Sequence, residues 1–354
     1  MANPSFSLRP TSDADAPALN DLYRRLTGKP RSVEAWRWQW RAGPAGPAPC
    51  WVLIDDSDGR VIGHHGVVPV LLRCKGERVI AGRTENTMLD PDYRKQLYWP
   101  GFEKQLLGEY LQRFPIVFTC AGKGAAAAVR RRMGYRIAAS WETLRLAATP
   151  AFRMTRKLGR MGRAGQLLGP LALRRPPPGW ELEPTLDLER IERLWKEVQG
   201  TYPLSAERDA ATLRWRFLEH PFHDYSLDLL RRAGRDEGFL ATWEEPVRGG
   251  GVRVWIEDLF VRDNDEQRHQ AAMLACAWRL RGRPASVHLR TLALDRPLRR
   301  AALSLASSWM APPRAVGSGE ADLLVRAEGL DSQAPWDVTM LVDQGRQVLA
   351  SYGG

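Results

Sequence analysis

Two stretches of this chain, 177 residues apart, spell one pattern. AWRWQWRAGP (35–44) is matched by TLRWRFLEHP (212–221), with Arg37 on Arg214, Trp38 on Trp215, Trp40 on Phe217 and Pro44 on Pro221. Further matches follow in order: TENTMLD (84–90) by IEDLFVR (256–262), with Glu85 opposite Glu257, and KGAAAAVRRRM (123–133) by DRPLRRAALSLASSW (295–309). A repeat this long means one supersecondary plan used twice. Each copy reads helix, helix, strand, strand, strand, helix, strand, helix, strand. In the first copy the helices fall near 13–27 and 32–41, where Leu19, Leu22, Tyr23 and Leu26 recur at helical spacing and Gly28 and Pro30 close the first. The strands fall at 50–54, 61–74 and 78–89, separated by DDSDGR and KGE turns. Antiparallel hairpins that give way to alternating strand and helix predict an α/β fold, a mixed, partly antiparallel sheet flanked by helices in each copy. A doubly wound nucleotide-binding fold would alternate from the start.

The 354 residues suffice for two such domains, divided as 1–149 and 181–354 by a basic, Pro/Gly-rich linker at 150–180 that ends in three prolines. Its glycines weaken any amphipathic helix there. The four cysteines, Cys50, Cys74, Cys120 and Cys276, are scattered without metal spacing, so reduced thiols and no metal site are expected. No secretory leader and no membrane span are read, and a cytoplasmic location is expected. The net charge of +11 suits anionic partners such as a phosphorylated cofactor. No helix-turn-helix, zinc finger or RNP-like segment supports nucleic-acid binding.

The segment Met88-Leu89-Asp90-Pro91-Asp92-Tyr93-Arg94 leads from a strand into a helix, and KGAAAAVRRRMGY ends a later helix in Gly134-Tyr135. In this order they resemble the GNAT (acyl-CoA N-acyltransferase) superfamily, in tandem, in both halves and more strongly in the first. The resemblance implies that acyl-CoA, expected as acetyl-CoA, is a co-substrate. Its pyrophosphate would lie against the strand end and the following helix start, contacted by Met88, Leu89, Arg94, Lys95 and Gly101. Free N–H groups and the helix dipole favour an anion there. The sequence departs from the family pattern in that loop: Leu97 and Trp99 stand where glycines or alanine are usual, and Pro100 has no N–H. The corresponding RDNDEQR (262–268) has no glycine and three acidic residues, so the second copy is expected to be non-catalytic.

The resemblance also implies Glu85 as the base that takes the acceptor's proton, with a backbone N–H of the same strand polarising the thioester. The usual tyrosine four residues before the final glycine is Arg130 here. Arg130, Arg131 and Arg132 are otherwise read as a solvated helix face. Trp36 and Trp40 wedge the second helix against the sheet and are candidates for the acceptor-binding wall. His64 and His65, adjacent on a strand, face opposite sides and are read as core or surface residues, not a metal pair. The expected activity is acetyl transfer to a small-molecule or glycan amine, an amino sugar among them. The competing expectation is a non-catalytic GNAT-like protein that has lost CoA binding and serves a binding or structural role.

Overall fold

The computed structural model describes residues 5–94, 99–122, 125–149, 151–152, 174–202, 204–247, 250–292, 297–307 and 321–327. The first repeat runs β1 (Phe6–Pro10), α1 (Ala16–Thr27), α2 (Val33–Trp40), β2 (Cys50–Asp55), β3 (Arg60–Cys74), β4 (Glu77–Leu89), α3 (Trp99–Arg113), β5 (Ile116–Gly122), α4 (Ala125–Arg132) and β6 (Arg136–Ala148). The second runs β7 (Trp180–Pro184), α5 (Leu188–Val198), β8 (Leu204–Ala206), α6 (Ala210–Leu213), which continues as a π-turn over Arg214–Leu218, and β9 (Tyr225–Arg232). β10 (Arg235–Pro246), β11 (Val252–Val261), α7 (Glu266–Arg279), β12 (Ala285–Leu292), α8 (Pro297–Ser307) and β13 (Ala321–Ala327) complete it. Local chemistry sets the boundaries. A Ser12–Asp15 capping box precedes α1, and Gly28 ends it at φ 70°. The Ser32 hydroxyl accepts from the Ala35 N–H to start α2. Lys75 and Gly76, both at positive φ, turn β3 back into β4.

The thirteen strands of the described residues form one sheet, in the order β1-β2-β3-β4-β5-β13-β6-β12-β11-β10-β9-β7, with β8 added beside β3. The order reads equivalently from both ends. The β5/β13, β13/β6 and β6/β12 pairs are all antiparallel, so β5 and β12 run in opposite directions. The two repeats are therefore related by a pseudo-twofold axis normal to the sheet, between β13 and β6. The two repeats are not separate in space, because each repeat's last strand lies against the other repeat's sheet. The expected element order also lacked the edge strands β1 and β7. β1 is five residues ending in Pro10, a residue an edge strand tolerates.

Trp38 and Trp215, matched by the 177-residue offset, meet at the axis. Their rings stack at 4.9 Å and 18°. Each indole N–H donates to the other's backbone carbonyl, at 2.9 and 3.0 Å. Such reciprocity is what a twofold contact requires.

Helices α1 and α2 pack on one face of the first repeat through Leu19, Leu22, Trp36 and Trp40 against Val52, Val68 and Met88. On the other face α3 and α4 pack through Leu106, Tyr110 and Ala127 against Val67, Val117 and Leu324. A further core joins α5 residues Ile191 and Trp195 to Leu72, Phe118 and Trp141 of the first repeat. Among the described residues no helix is long and apolar enough to cross a membrane.

Candidate active site

β4 and β5 are parallel, but their register covers only Gly82 with Val117 and Arg83 with Phe118. Beyond that point they part. The split is created from the β4 side by a bulge: pairing with β3 passes from Gly66–Glu85 to His64–Met88, and Asn86 sits in the left-handed region at φ 47°. Thr119 on β5 donates to the Thr84 carbonyl at 3.3 Å, serving a group that the interrupted ladder would otherwise leave unpaired.

Glu85 lies at the bulge. It is 8% exposed, and Arg83 approaches it at 3.0 Å. Burial raises its pKa, against the opposing charges of Arg83 and Arg130. A carboxyl tuned upward by burial is a better proton acceptor near neutrality than a solvated one.

Arg130, the second functional group at the split, corrects the expectation of a solvated arginine face. Arg131 and Arg132 are exposed, but Arg130 is 6% exposed and reaches from α4 to β4. It donates to the hydroxyls of Thr84 and of Thr87, the latter at 3.0 Å, and pairs with Glu103 of α3 at 2.8 Å. Burial works against its charge, but Glu103, Tyr135, Tyr110 and Glu85 together keep its pKa raised. The helical repeat explains the difference among the three arginines. Arg130 is one turn on from buried Ala127 and is turned to the sheet, while Arg131 and Arg132 stay in solvent. Its position four residues before Gly134 was the signal available in sequence.

The strand end beyond Glu85 is held rigidly. Asp90 caps a 3-10 turn at Pro91–Tyr93 and pairs with Arg25 of α1 at 2.5 Å, and the Tyr93 hydroxyl donates to Asp55 at 2.7 Å. Met88 is buried in the α1–α2 core, and Leu89 is half-buried. Arg94 follows the turn and is exposed, as is Gly101 in the first turn of α3. Lys95 and Leu97 lie outside the described residues, as does the strand expected around 335–340.

Trp36 and Trp40 are both 0% exposed, which fits the wedge and not an open wall. A Cβ added at Gly66 would lie 2.3 Å from the Trp40 ring, so that glycine admits the indole. His64 and His65 face opposite sides, as the strand period requires. His64 meets Trp40 edge-on at 5.0 Å, and His65 stacks on Tyr110 at 5.6 Å. Burial holds both pKa values down at about 3, so both are neutral. Cys120, on β5, has its pKa pushed up to about 11 by burial and by Glu85, so it is a thiol at neutral pH.

The second repeat fills the equivalent places with closed ion pairs. Glu257 accepts from Arg216 at 3.3 Å and from the Trp243 indole at 3.2 Å. Asp258 accepts two 2.8 Å bonds from Arg208, with both side chains 0% exposed.

No protein-family model and no curated protein match this chain. Solved structures do. A GCN5-related N-acetyltransferase from Anabaena variabilis ATCC 29413 aligns with a TM-score of 0.60 at 14% identity, covering 91% of this chain and 72% of its own. A probable N-acyltransferase from Enterococcus faecalis V583 aligns at 0.61 and 12%, covering 93% and 74%. Saccharomyces cerevisiae N-myristoyltransferase with bound myristoyl-CoA aligns at 0.56 and 12%, covering 95% and 89%. The class defined by sheet and helices is thus the acyl-CoA N-acyltransferase fold. The chain repeats that element order twice, with exchanged last strands.

Proposed function

We propose that the first repeat is an acyl-CoA-dependent N-acyltransferase centre. The acyl-CoA pyrophosphate would rest against Arg94 and the free N–H groups at the start of α3, and the thioester would reach the split between β4 and β5. Acetyl-CoA is the proposed donor, and a small-molecule or glycan amine the acceptor, entering from the α1–α2 side. The four free cysteines and the need for an acyl-CoA supply support a cytoplasmic location.

Glu85 removes a proton from the acceptor ammonium. The free amine attacks the thioester carbon, forming the C–N bond and placing the carbonyl electron pair on oxygen. A backbone N–H at the β4 bulge donates to that oxyanion. Collapse restores the carbonyl and breaks the C–S bond, and the electron pair leaves with the CoA sulfur. Arg130 holds a fixed positive charge beside that sulfur. A guanidinium does not release its proton near neutrality, so the thiolate departs stabilised by charge, and the second proton, which the new amide nitrogen must shed, passes through water to the sulfur. The second repeat, with its acidic carboxylates already paired to arginines, supports the sheet and shapes the acceptor side.

One observation carries this reading: Glu85 and Arg130 are both buried at one interrupted point of the β4–β5 ladder. The test is CoA release from acetyl-CoA with a panel of amines. Glu85→Gln should lower kcat by about 10²–10⁴ while acetyl-CoA binding is kept. Turnover equal to wild type would remove Glu85 as the base.

A further inference from the structure

The two repeats differ in how they partner one buried arginine. Arg31 and Arg208 are separated by the same 177 residues as Trp38 and Trp215. Each precedes the second helix of its repeat, and each guanidinium lies 4.5 Å from the centre of a ring on the first helix, Tyr23 or Trp195. Asn86 and Asp258, each one residue past the paired glutamates Glu85 and Glu257, are equivalent as well. In the second repeat the arginine and aspartate form a closed bidentate pair. In the first, the aspartate is an amide.

Arg31 is consequently a buried cation, 8% exposed, with no carboxylate partner among the described residues. Its Nε donates to Asn20 at 2.6 Å, and its Nη1 to the Gln39 oxygen at 3.4 Å. That oxygen also accepts from Asn86 at 3.2 Å. Nη2 has no partner, and burial pulls the Arg31 pKa down to about 10. The surrounding core holds three more orphaned polar atoms on residues that are 0% exposed: Trp36 Nε1, Trp40 Nε1 and His64 Nε2. His64 Nδ1 faces the Asn86 carbonyl at 2.9 Å and must donate to it, so Nε2 is an acceptor. Water could satisfy such atoms but would not supply the missing charge, and an uncompensated buried cation is costly. In the α1–α2 connection that bears Arg31, the neighbouring Lys29, Pro30 and Ser32 are exposed.

We propose that the first repeat binds a ligand carboxylate at Arg31, beside α1 and α2, in the place that Asp258 fills in the second. The carboxylate belongs to the amine acceptor, so the acceptor is amino-acid-like, with amine and carboxylate in one small molecule. This last step rests on the acyltransferase reading, because Asn86, which shares the Gln39 oxygen with Arg31, adjoins Glu85, the proposed base.

The test compares free L-amino acids with their carboxamides at millimolar concentration, on wild type and on Asn86→Asp, which supplies the missing carboxylate internally. One or more acids should raise the wild-type Tm by several degrees, and the matching carboxamides should not. As acceptors the carboxamides should fall in kcat/KM on the order of a hundredfold. Asn86→Asp should melt higher than wild type and lose the response to acids. Equal response to acids and amides, no response to any acid, or an undiminished response in Asn86→Asp overturns the proposal. Acetyl-CoA binding measured in parallel separates the two readings. Acid-specific shifts without acetyl-CoA binding keep the carboxylate site and remove the acyltransferase. Acetyl-CoA binding without acid-specific shifts does the reverse.

Discussion

The equivalence of Arg31 and Arg208 predicts opposite outcomes for one substitution made in two places. Arg208→Met removes the partner of Asp258, whose side chain is 0% exposed and takes two 2.8 Å bonds from that arginine. Breaking a buried pair from one side costs about 3–5 kcal/mol. With an unfolding entropy of about 2.1 cal/mol/K per residue, a cooperative unit of roughly 350 residues has about 0.7 kcal/mol/K. The Tm of Arg208→Met should therefore fall by about 4–7 °C. The exchanged strands β6 and β13 justify treating the chain as one unit, since neither sheet is complete without the other repeat. Arg31→Met removes a buried charge that no carboxylate offsets. The Asn20 oxygen loses a donor, but the Gln39 oxygen keeps the one from Asn86. The two effects offset, and this variant should stay within about 1 kcal/mol of wild type. Thermal unfolding followed by tryptophan fluorescence reads both. A loss in Arg31→Met as large as that in Arg208→Met would refute the asymmetry between the repeats.

Acid stability follows from three buried histidines, His64, His65 and His269, whose pKa values burial holds at about 3, against 6.5 when solvated. Their folded pKa values are depressed, so stability is complete above pH 6.5 and is lost as pH falls towards 3. The loss approaches about 1.4 kcal/mol per pH unit for each. Urea midpoints should fall steeply below pH 6.5, and His65→Phe should lessen that slope by about a third. Arg130→Lys should retain more activity than Arg130→Met, whose kcat should fall about 10²–10³-fold, and thiol-release kinetics at saturating donor check the order. A double-mutant cycle between Trp38→Ala and Trp215→Ala should give a coupling of about 0.5–1.5 kcal/mol or more, and additive losses would separate the two rings energetically.

The architecture was legible because the repeat constrains it: helical spacing at Leu19–Leu26, turn residues at 55–60 and 75–77, and matched tryptophans give the same element order twice. The strand exchange was not legible. Whether β6 pairs with β5 or with β12 depends on long-range antiparallel contacts that no local pattern encodes, and either partner accepts the same alternation. At the candidate site, Glu85 could be located through its strand and its repeat partner Glu257. Arg130 was misplaced because a run of three arginines looks solvated, while only helix phase decides which of them turns inward. Thr84, Thr87 and Glu103 carried no signal, since their role exists only once α4 packs on β4. Arg31 was likewise invisible. A single arginine after a helix-ending proline is unremarkable until its equivalent is seen paired and it is not.

Isothermal titration of acetyl-CoA into the full chain tests most directly that one repeat, and only one, is a coenzyme site. The expected result is a stoichiometry of one per chain, with affinity weakened about tenfold by Arg94→Ala and unchanged by Arg268→Ala in the second repeat. Two equivalents per chain, binding lost through Arg268→Ala instead, or no heat at all would contradict it.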